Sequence, residues 1–138
     1  MRIRAGLKGS SAVTIAVSDA VSQVLQTALN GLNARQNLIA QDIANVDTPH
    51  YRAHSMDFEN SLKAAIARGE FNDEHTGPGA NVTITQSLDR TAVGADGNNV
   101  DLRKKMIASI QTQYSYQVVA RAFSDHLGLL KTAAVEAR

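Results

Sequence analysis

The sequence predicts a mainly α protein. Long N-terminal and C-terminal helices pack as an antiparallel, coiled-coil-like pair, joined by a loop-rich excursion with a short helix and short extended segments. Three observations predict it. Two long stretches repeat apolar residues at spacings of three and four, the register by which one helix packs along another. The stretch between them breaks that period with clusters of turn residues. Aromatics make up only 4% of the chain and Trp is absent, so Ala, Val, Leu and Ile supply the packing, as suits helix seams. The 138 residues fit one structural unit. Its expected parts are a polar leader over about 1–16, a helix over 17–47, an excursion over 48–100 and a second long helix over 101–136.

The leader carries Arg2, Arg4 and Lys8 ahead of a mild apolar patch from Ala12 to Val17, interrupted by Thr14. A secretory signal needs an apolar stretch of about 7–15 residues, so the expectation is an uncleaved leader feeding the first helix. No apolar run approaches the roughly 20 residues needed to span a bilayer.

In the first helix, Leu25, Leu29, Leu32, Ile39 and Ile43 alternate by four and three, with Gln36 in the vacant slot. Val17, Val21, Val24 and Ala28 widen the stripe at its start. Gly31 lies inside this pattern and costs about 1 kcal/mol relative to Ala. Either a second helix approaches closely there or the weakness is tolerated.

The helix runs into AQDIANVDTPHYRA, Ala40 to Ala53. A residue before proline is pushed out of the α region, so the helix must end by about Asp47. Asn45 and Asp47 can bond free backbone groups and tolerate the left-handed region. Pro49 fits the first central position of a β-turn from Thr48 to Tyr51. The cluster Asn45, Asp47, Thr48, Pro49, His50 and Tyr51 therefore reads as a chain reversal with Tyr51 as an anchor.

Beyond the turn, a short amphipathic helix is expected near 57–68, with Phe58, Leu62, Ala65 and Ile66 on one face. Asp57 is its expected N-cap and Gly69 its stop. His75 to Ala80 is a loop, Asn81 to Gln86 alternates as an extended segment would, and Gly94 to Val100 is a second turn cluster. In the last helix Ile107, Ile110, Tyr114 and Val118 form one stripe. Tyr116, Val119, Phe123, Leu127, Leu130 and Ala134 continue it with a slow drift. Asp101 to Glu136 would span roughly 50 Å at about 1.5 Å per residue.

Two such helices alone sit near energetic balance. Burying a Leu or Ile contributes about 1.5–3 kcal/mol. Ordering each residue costs about 1–2 kcal/mol in backbone entropy. Apolar positions are a minority, so the stripes imply assembly with neighbours.

The residues give little sign of catalysis. A net charge of +1 makes no field for nucleic acid. Without Cys there is no disulfide framework and no thiolate metal site. His50 and His54 are four apart, as a zinc pair on a helix would be, but Pro49 precedes them and no Glu follows His50. Two exposed loop histidines are the simpler reading. Gly77 to Gly79 is too little for a phosphate loop, and Asn81-Val82-Thr83 matches a glycosylation acceptor of a kind frequent by chance. No cofactor is expected.

ARQNLIAQDIANVDTPHYRAHSMDFENSL, Ala34 to Leu62, resembles the signature of bacterial flagellar rod and hook axial proteins. The signature is a helix ending in an Asn-Ile-Ala-Asn-like stretch, then a Thr-Pro-Gly-Tyr turn. MDFENSL, DGNNVDL at Asp96 to Leu102 and the Tyr114-containing last helix point to the proximal rod branch, with a sister rod protein as the alternative. A soluble helical interaction module outside the flagellum is a further alternative, and a hydrolase using the His50/His54 region a remote one. The resemblance implies a structural protein of the basal-body rod in the periplasmic space. It implies export through the flagellar type III apparatus without a cleaved signal. Its implied partners are copies of itself, other rod proteins and the adaptor FliE. A rod grows by heterologous contacts that do not close.

Three residues or groups depart from the pattern. His50 stands at the usual Gly, which leads to an expected type I turn in place of type II. Asp42 stands at the usual Asn, an anion mildly unfavourable at a helix C-terminus. Arg103, Lys104 and Lys105 follow Asp101 where an acidic residue is common, and they oppose the dipole of the helix they begin. The functional reading is that this triplet faces acidic groups on a neighbouring subunit; the alternative is a solvated face.

Overall fold

The computed structural model describes residues 8–71 and 82–136, with side chains placed for 19–71 and 82–135. The expectations for the leader's first residues, the 75–80 loop and the first residue of the 81–83 tripeptide lie outside the described residues. Among the described residues the order is α1 Lys8–Ala44, β1 His54–Asp57, α2 Glu59–Ala67, β2 Thr85–Leu88 and α3 Leu102–Glu136. The fold is mainly helical, with one small antiparallel sheet.

α1 starts nine residues before the expected Val17 and stops three before Asp47. Nothing from Lys8 to Ala16 breaks a helix apart from Gly9 at its edge, so the apolar period marks where packing begins rather than where helix begins. The stop is local. The backbone and side-chain N–H groups of Asn45 both donate to the Gln41 carbonyl, at 3.2 and 2.8 Å, closing the last turn on itself.

The two long helices run antiparallel: Asp42 near the end of α1 meets Lys105 in the first turn of α3, and Gln36 donates to the Ser109 hydroxyl at 2.8 Å. Between them the chain crosses in a two-stranded ladder, His54 opposite Leu88 and Asp57 opposite Thr85. The expected extended segment at 81–86 is thus displaced to Thr85–Leu88, and its partner HSMD lacks the apolar alternation that would have announced it. Paired hydroxyls of Ser55 and Ser87, 3.0 Å apart, join the strands across an exposed face.

α2 begins at Glu59, not Asp57. Asp57 closes β1, and Phe58 holds the N-cap position without a side-chain cap bond. Gly69, at φ 73°, follows the helix and donates back to the Ile66 carbonyl.

The core gathers Ala20, Leu32, Phe58, Leu62, Ala65 and Phe71, with Val24, Ala28, Val82 and Val119 against it. Phe58 explains Gly31. A Cβ built at Gly31 would lie 2.6 Å from the Phe58 ring, so the close approach there is an aromatic from the excursion and not a second helix. The Arg35 guanidinium lies over the same ring, 5.0 Å from its centroid, and donates to the Met56 carbonyl.

The seam positions divide. On α1, Leu32 and Ile39 are buried and Leu25, Leu29 and Ile43 half-buried. On α3, Phe123 and Leu130 are half-buried, but Ile107, Ile110, Tyr114 and Val118 face outward, with Ile110 65% and Tyr114 69% exposed; Leu127 is exposed too. The residues turned inward are Lys105, Ala108, Ser109 and Thr112. Lys105 is drawn in by carboxylates, and at about 100° per residue that choice carries Ile107 and Ile110 to the outside.

Candidate functional site

The turn residues and the second turn cluster, far apart in sequence, form one structure. Tyr51 N donates to Thr48 O at 3.3 Å, closing a β-turn with Pro49 and His50 at its centre. His50 has φ 63°. Positive φ at the second central position belongs to type II, so the expected type I turn is overturned. The cause is the opposite loop. His50 N donates to Asp96 O at 3.0 Å, and the imidazole lies against Gly97, where a Cβ would collide with the ring. Gly97 itself sits at φ 80°. Contacts across the two loops hold His50 in a region that costs about 1–3 kcal/mol for a non-glycine residue.

Two asparagines from the second cluster complete the turn. The Asn98 amide nitrogen donates to the carbonyls of Asn45, Val46 and Thr48 at 3.0, 2.9 and 2.8 Å. Asn45 O and Thr48 O also accept from the backbone N–H groups of Thr48 and Tyr51, and Asn98 adds a side-chain donor to both. Asn99 accepts from Ala53 N at 2.7 Å and donates to the carbonyls of Asp89 at 3.0 Å and Thr91 at 3.3 Å. Both asparagines are buried. Of the expected turn residues, Asn45 and Thr48 bond each other at 3.2 Å, while Asp47 is exposed.

Beneath the turn lies a buried ion cluster. Asp42 is fully buried. Its carboxylate accepts from the Tyr51 hydroxyl at 3.0 Å, from His54 N at 3.3 and 3.4 Å, and from Lys105 Nζ at 2.8 Å. Lys105 also reaches Asp89 at 3.2 Å and the His54 carbonyl at 2.7 Å. Lys104 pairs with Asp89 at 2.8 Å, and the Thr91 hydroxyl donates to the same oxygen at 2.8 Å. Burial pushes the Asp89 carboxyl up, but Lys104, Thr91 and Lys105 outweigh it and hold the group well below the usual carboxylate range. Burial and the bond to Asp42 push the Tyr51 phenol up.

Asp42 is the buried partner of Lys105, so its charge near the helix end is offset. Lys105 is taken by Asp42 and Asp89 of its own chain, which removes it from the expected contact with a neighbouring subunit. Lys104 pairs with Asp89 but its side chain stays 54% exposed, and Arg103 is exposed as well. The adverse charge at the start of α3 is offset by Asp101, whose carboxylate accepts from Lys104 N at 3.0 Å as an N-cap does. The two departures from the family pattern, Asp42 and the basic run, are thus partners. Sequence reading missed Asp89, Asn98, Asn99 and Asp101. Only Asp101 carried a local signal, an Asp just ahead of a helical stretch.

His50 and His54 do not converge: one rests on Gly97, and the other's backbone is held by Asp42 and Lys105. Among the described residues no group of three or more His, Asp or Glu could hold a metal, and no helix is long and apolar enough to cross a membrane. An open groove of about 760 Å³ runs beside the cluster, lined by Leu38, Ile39, Met56, Ala108, Ile110 and Tyr114 among others.

No family model matches the chain. It is similar to the flagellar basal body rod protein FlgB of Bacillus subtilis, 33% identical over 116 residues that cover 80% of this chain and 89% of the relative. It is also similar to FlgB of Salmonella typhimurium, 33% identical over 117 residues covering 72% and 82%. The FlgB of Escherichia coli K12 is 30% identical over 124 residues covering 79% and 88%. By this likeness the chain belongs to the FlgB family of flagellar basal body rod proteins.

Proposed function

We propose that this chain is a structural subunit of the flagellar basal-body rod and that it assembles through its terminal helices. The observation that carries this beyond family membership is the outward stripe of α3. Leu102, Met106, Ile107, Ile110, Tyr114 and Val118 all stand exposed on one 35-residue helix. A contiguous apolar face of this kind marks an interaction surface. In the rod it is covered by helices of neighbouring subunits, copies of this chain or other rod proteins, with the adaptor FliE among the neighbours. The pair α1–α3 then packs as a coiled-coil-like unit within a larger bundle, and its weak intramolecular seam is completed by assembly. Arg103, exposed at the start of this face, is the member of the basic triplet left for an acidic neighbour.

The same reading places the subunit in the periplasmic part of the basal body, delivered by the type III export apparatus without loss of a signal peptide. Each of the relatives above is an FlgB protein, which favours that branch over a sister rod protein. The role is architectural, and the buried cluster serves shape rather than turnover.

Deleting the gene, then scoring swimming and imaging basal bodies, tests the proposal. Loss of rods, restored by the intact gene, is expected. Normal rods and swimming in the deletion strain would end it.

A further inference from the structure

The inward face of α3 is unusual for a helix seam. From its first turn it runs Lys105, Ser109 and Thr112, and it continues with Val119, Phe123, His126 and Leu130. Tyr116, 44% exposed, fills the gap. These positions alternate by four and three, so the face repeats every seven residues. Sliding α3 by one heptad, about 10.5 Å along its axis, would keep the same face toward α1. Bulky side chains ordinarily forbid such a slide by fitting their own holes. In the first half of this seam the inward residues other than Lys105 are small, Ala108, Ser109 and Thr112.

Charge is not degenerate in this way. The Lys105 ammonium has three N–H donors, and three acceptors meet it: Asp42 at 2.8 Å, Asp89 at 3.2 Å and the His54 carbonyl at 2.7 Å. They come from α1, from the residue after β2 and from β1. In an alignment shifted by a heptad, Thr112 would take the place of Lys105. Asp42, fully buried, and Asp89, 7% exposed at its side chain, would then lack this cation. A buried carboxylate without its partner is strongly unfavourable. Selecting one register is the best-attested use of buried polar and ionic groups in helical seams.

We propose that Lys105 is the register lock of the helix pair: its ion pairs with Asp42 and Asp89 select one alignment of α3 on α1. The same atoms fasten the turn and the hairpin to that alignment. The Tyr51 hydroxyl and His54 N donate to the carboxylate of Asp42, and the His54 carbonyl accepts a hydrogen bond from Lys105 Nζ. The excursion is therefore closed in one register only. This inference is independent of the rod assignment.

The chain contains no Cys, so paired cysteines report the register directly. Gln36→Cys with Ser109→Cys reads the observed alignment; Gln36→Cys with Tyr116→Cys reads the slid one. A disulfide needs Cα atoms within about 7 Å, so a heptad offset separates the two products. The full-length chain is oxidised under native conditions and the products are mapped by mass spectrometry. With Lys105 present, the 36–109 product should dominate. Asp42→Asn/Asp89→Asn/Lys105→Met removes the lock without leaving a buried charge unpaired. It should keep the helical circular dichroism of the parent while the ratio of 36–109 to 36–116 product falls by at least about tenfold. Lys105→Met alone should show the same fall or fail to fold, and in the latter case the triple variant decides. An unchanged ratio in the triple variant would overturn the lock. So would loss of its helical signal, or a parent that does not favour the 36–109 product.

Discussion

The Asn98 side-chain nitrogen lies 2.8 Å from the Thr48 carbonyl, and it also serves the carbonyls of Val46 and Asn45. One amide from the second loop thus fastens the segment that follows the end of the first helix. Asn98→Ala would take this shared donor from the Val46 carbonyl and leave the Asn45 and Thr48 carbonyls only their backbone donors, at a cost of about 1–3 kcal/mol. Asn98→Asp should cost more, since a carboxylate would face three carbonyl oxygens. Urea titration should show a lower midpoint with little change in slope for both. An Asn98→Asp protein as stable as its parent would refute this role.

Gly31 and Phe58 make a second matched pair. On an exposed helix, Gly→Ala gains about 1 kcal/mol. Here the new methyl meets the Phe58 ring, 2% exposed, at 2.6 Å. Overpacking costs about 1–3 kcal/mol, so Gly31→Ala should destabilise despite its better propensity. Adding Phe58→Leu should recover part of that loss, a non-additivity that only neighbours show. Thermal unfolding of the two single variants and the double variant checks it.

Stability should fall at both ends of the pH scale, for different reasons. The depressed Asp89 carboxyl contributes stability that is complete above its ordinary value of 3.8 and is lost as pH falls toward the folded-state value. Tyr51 is raised, so its contribution is complete below 10.0 and is lost as pH rises through the folded-state value. Unfolding free energy measured against pH should therefore be flat between these limits where these two groups are concerned. Asp89→Asn should flatten the acid limb while lowering stability at neutral pH, because Lys105 then keeps only Asp42 as its carboxylate and Lys104 loses its own. Tyr51→Phe should flatten the alkaline limb. An acid limb unchanged in Asp89→Asn would mean that other carboxylates govern it.

These pairs also show what the sequence could and could not convey. The two long helices, the stop near Asn45 and the turn at Pro49 are local matters of period and backbone preference, and they were legible. The partner of Gly31 was not, because Phe58 reaches it from 27 residues away and no local period links them. Which face of α3 turns inward was not legible for a related reason. Its strongest apolar stripe, through Ile110 and Tyr114, is the natural choice for a core, but Lys105 is held inward by Asp42 and Asp89, and that fixes which face remains outside. A run of three basic residues looks like a surface feature until the carboxylates that bury Lys105 are located. His50 was misjudged because its turn is set by Asp96 and Gly97, contacts that no rule for isolated turns contains.

The division of the apolar positions into buried and exposed separates two variants that sequence alone would treat alike. Leu32 is 5% exposed in the core of the chain, whereas Ile110 is 65% exposed on the outer face of α3. Leu32→Asp places a carboxylate without a partner in an apolar core, so the chain itself should lose its fold. Ile110→Asp exchanges a largely exposed branched alkyl side chain for an exposed charge, which usually changes monomer stability by no more than about 0.5 kcal/mol. Its effect should appear only where another helix covers that face, since the same carboxylate would then be buried. Purified Ile110→Asp should match the parent in circular dichroism and urea midpoint, while a strain carrying it is exported normally but builds no rod and does not swim. Leu32→Asp should fail both tests. Swimming at the parental level with Ile110→Asp would show that the exposed stripe is not an assembly surface, whatever the stability of the isolated chain.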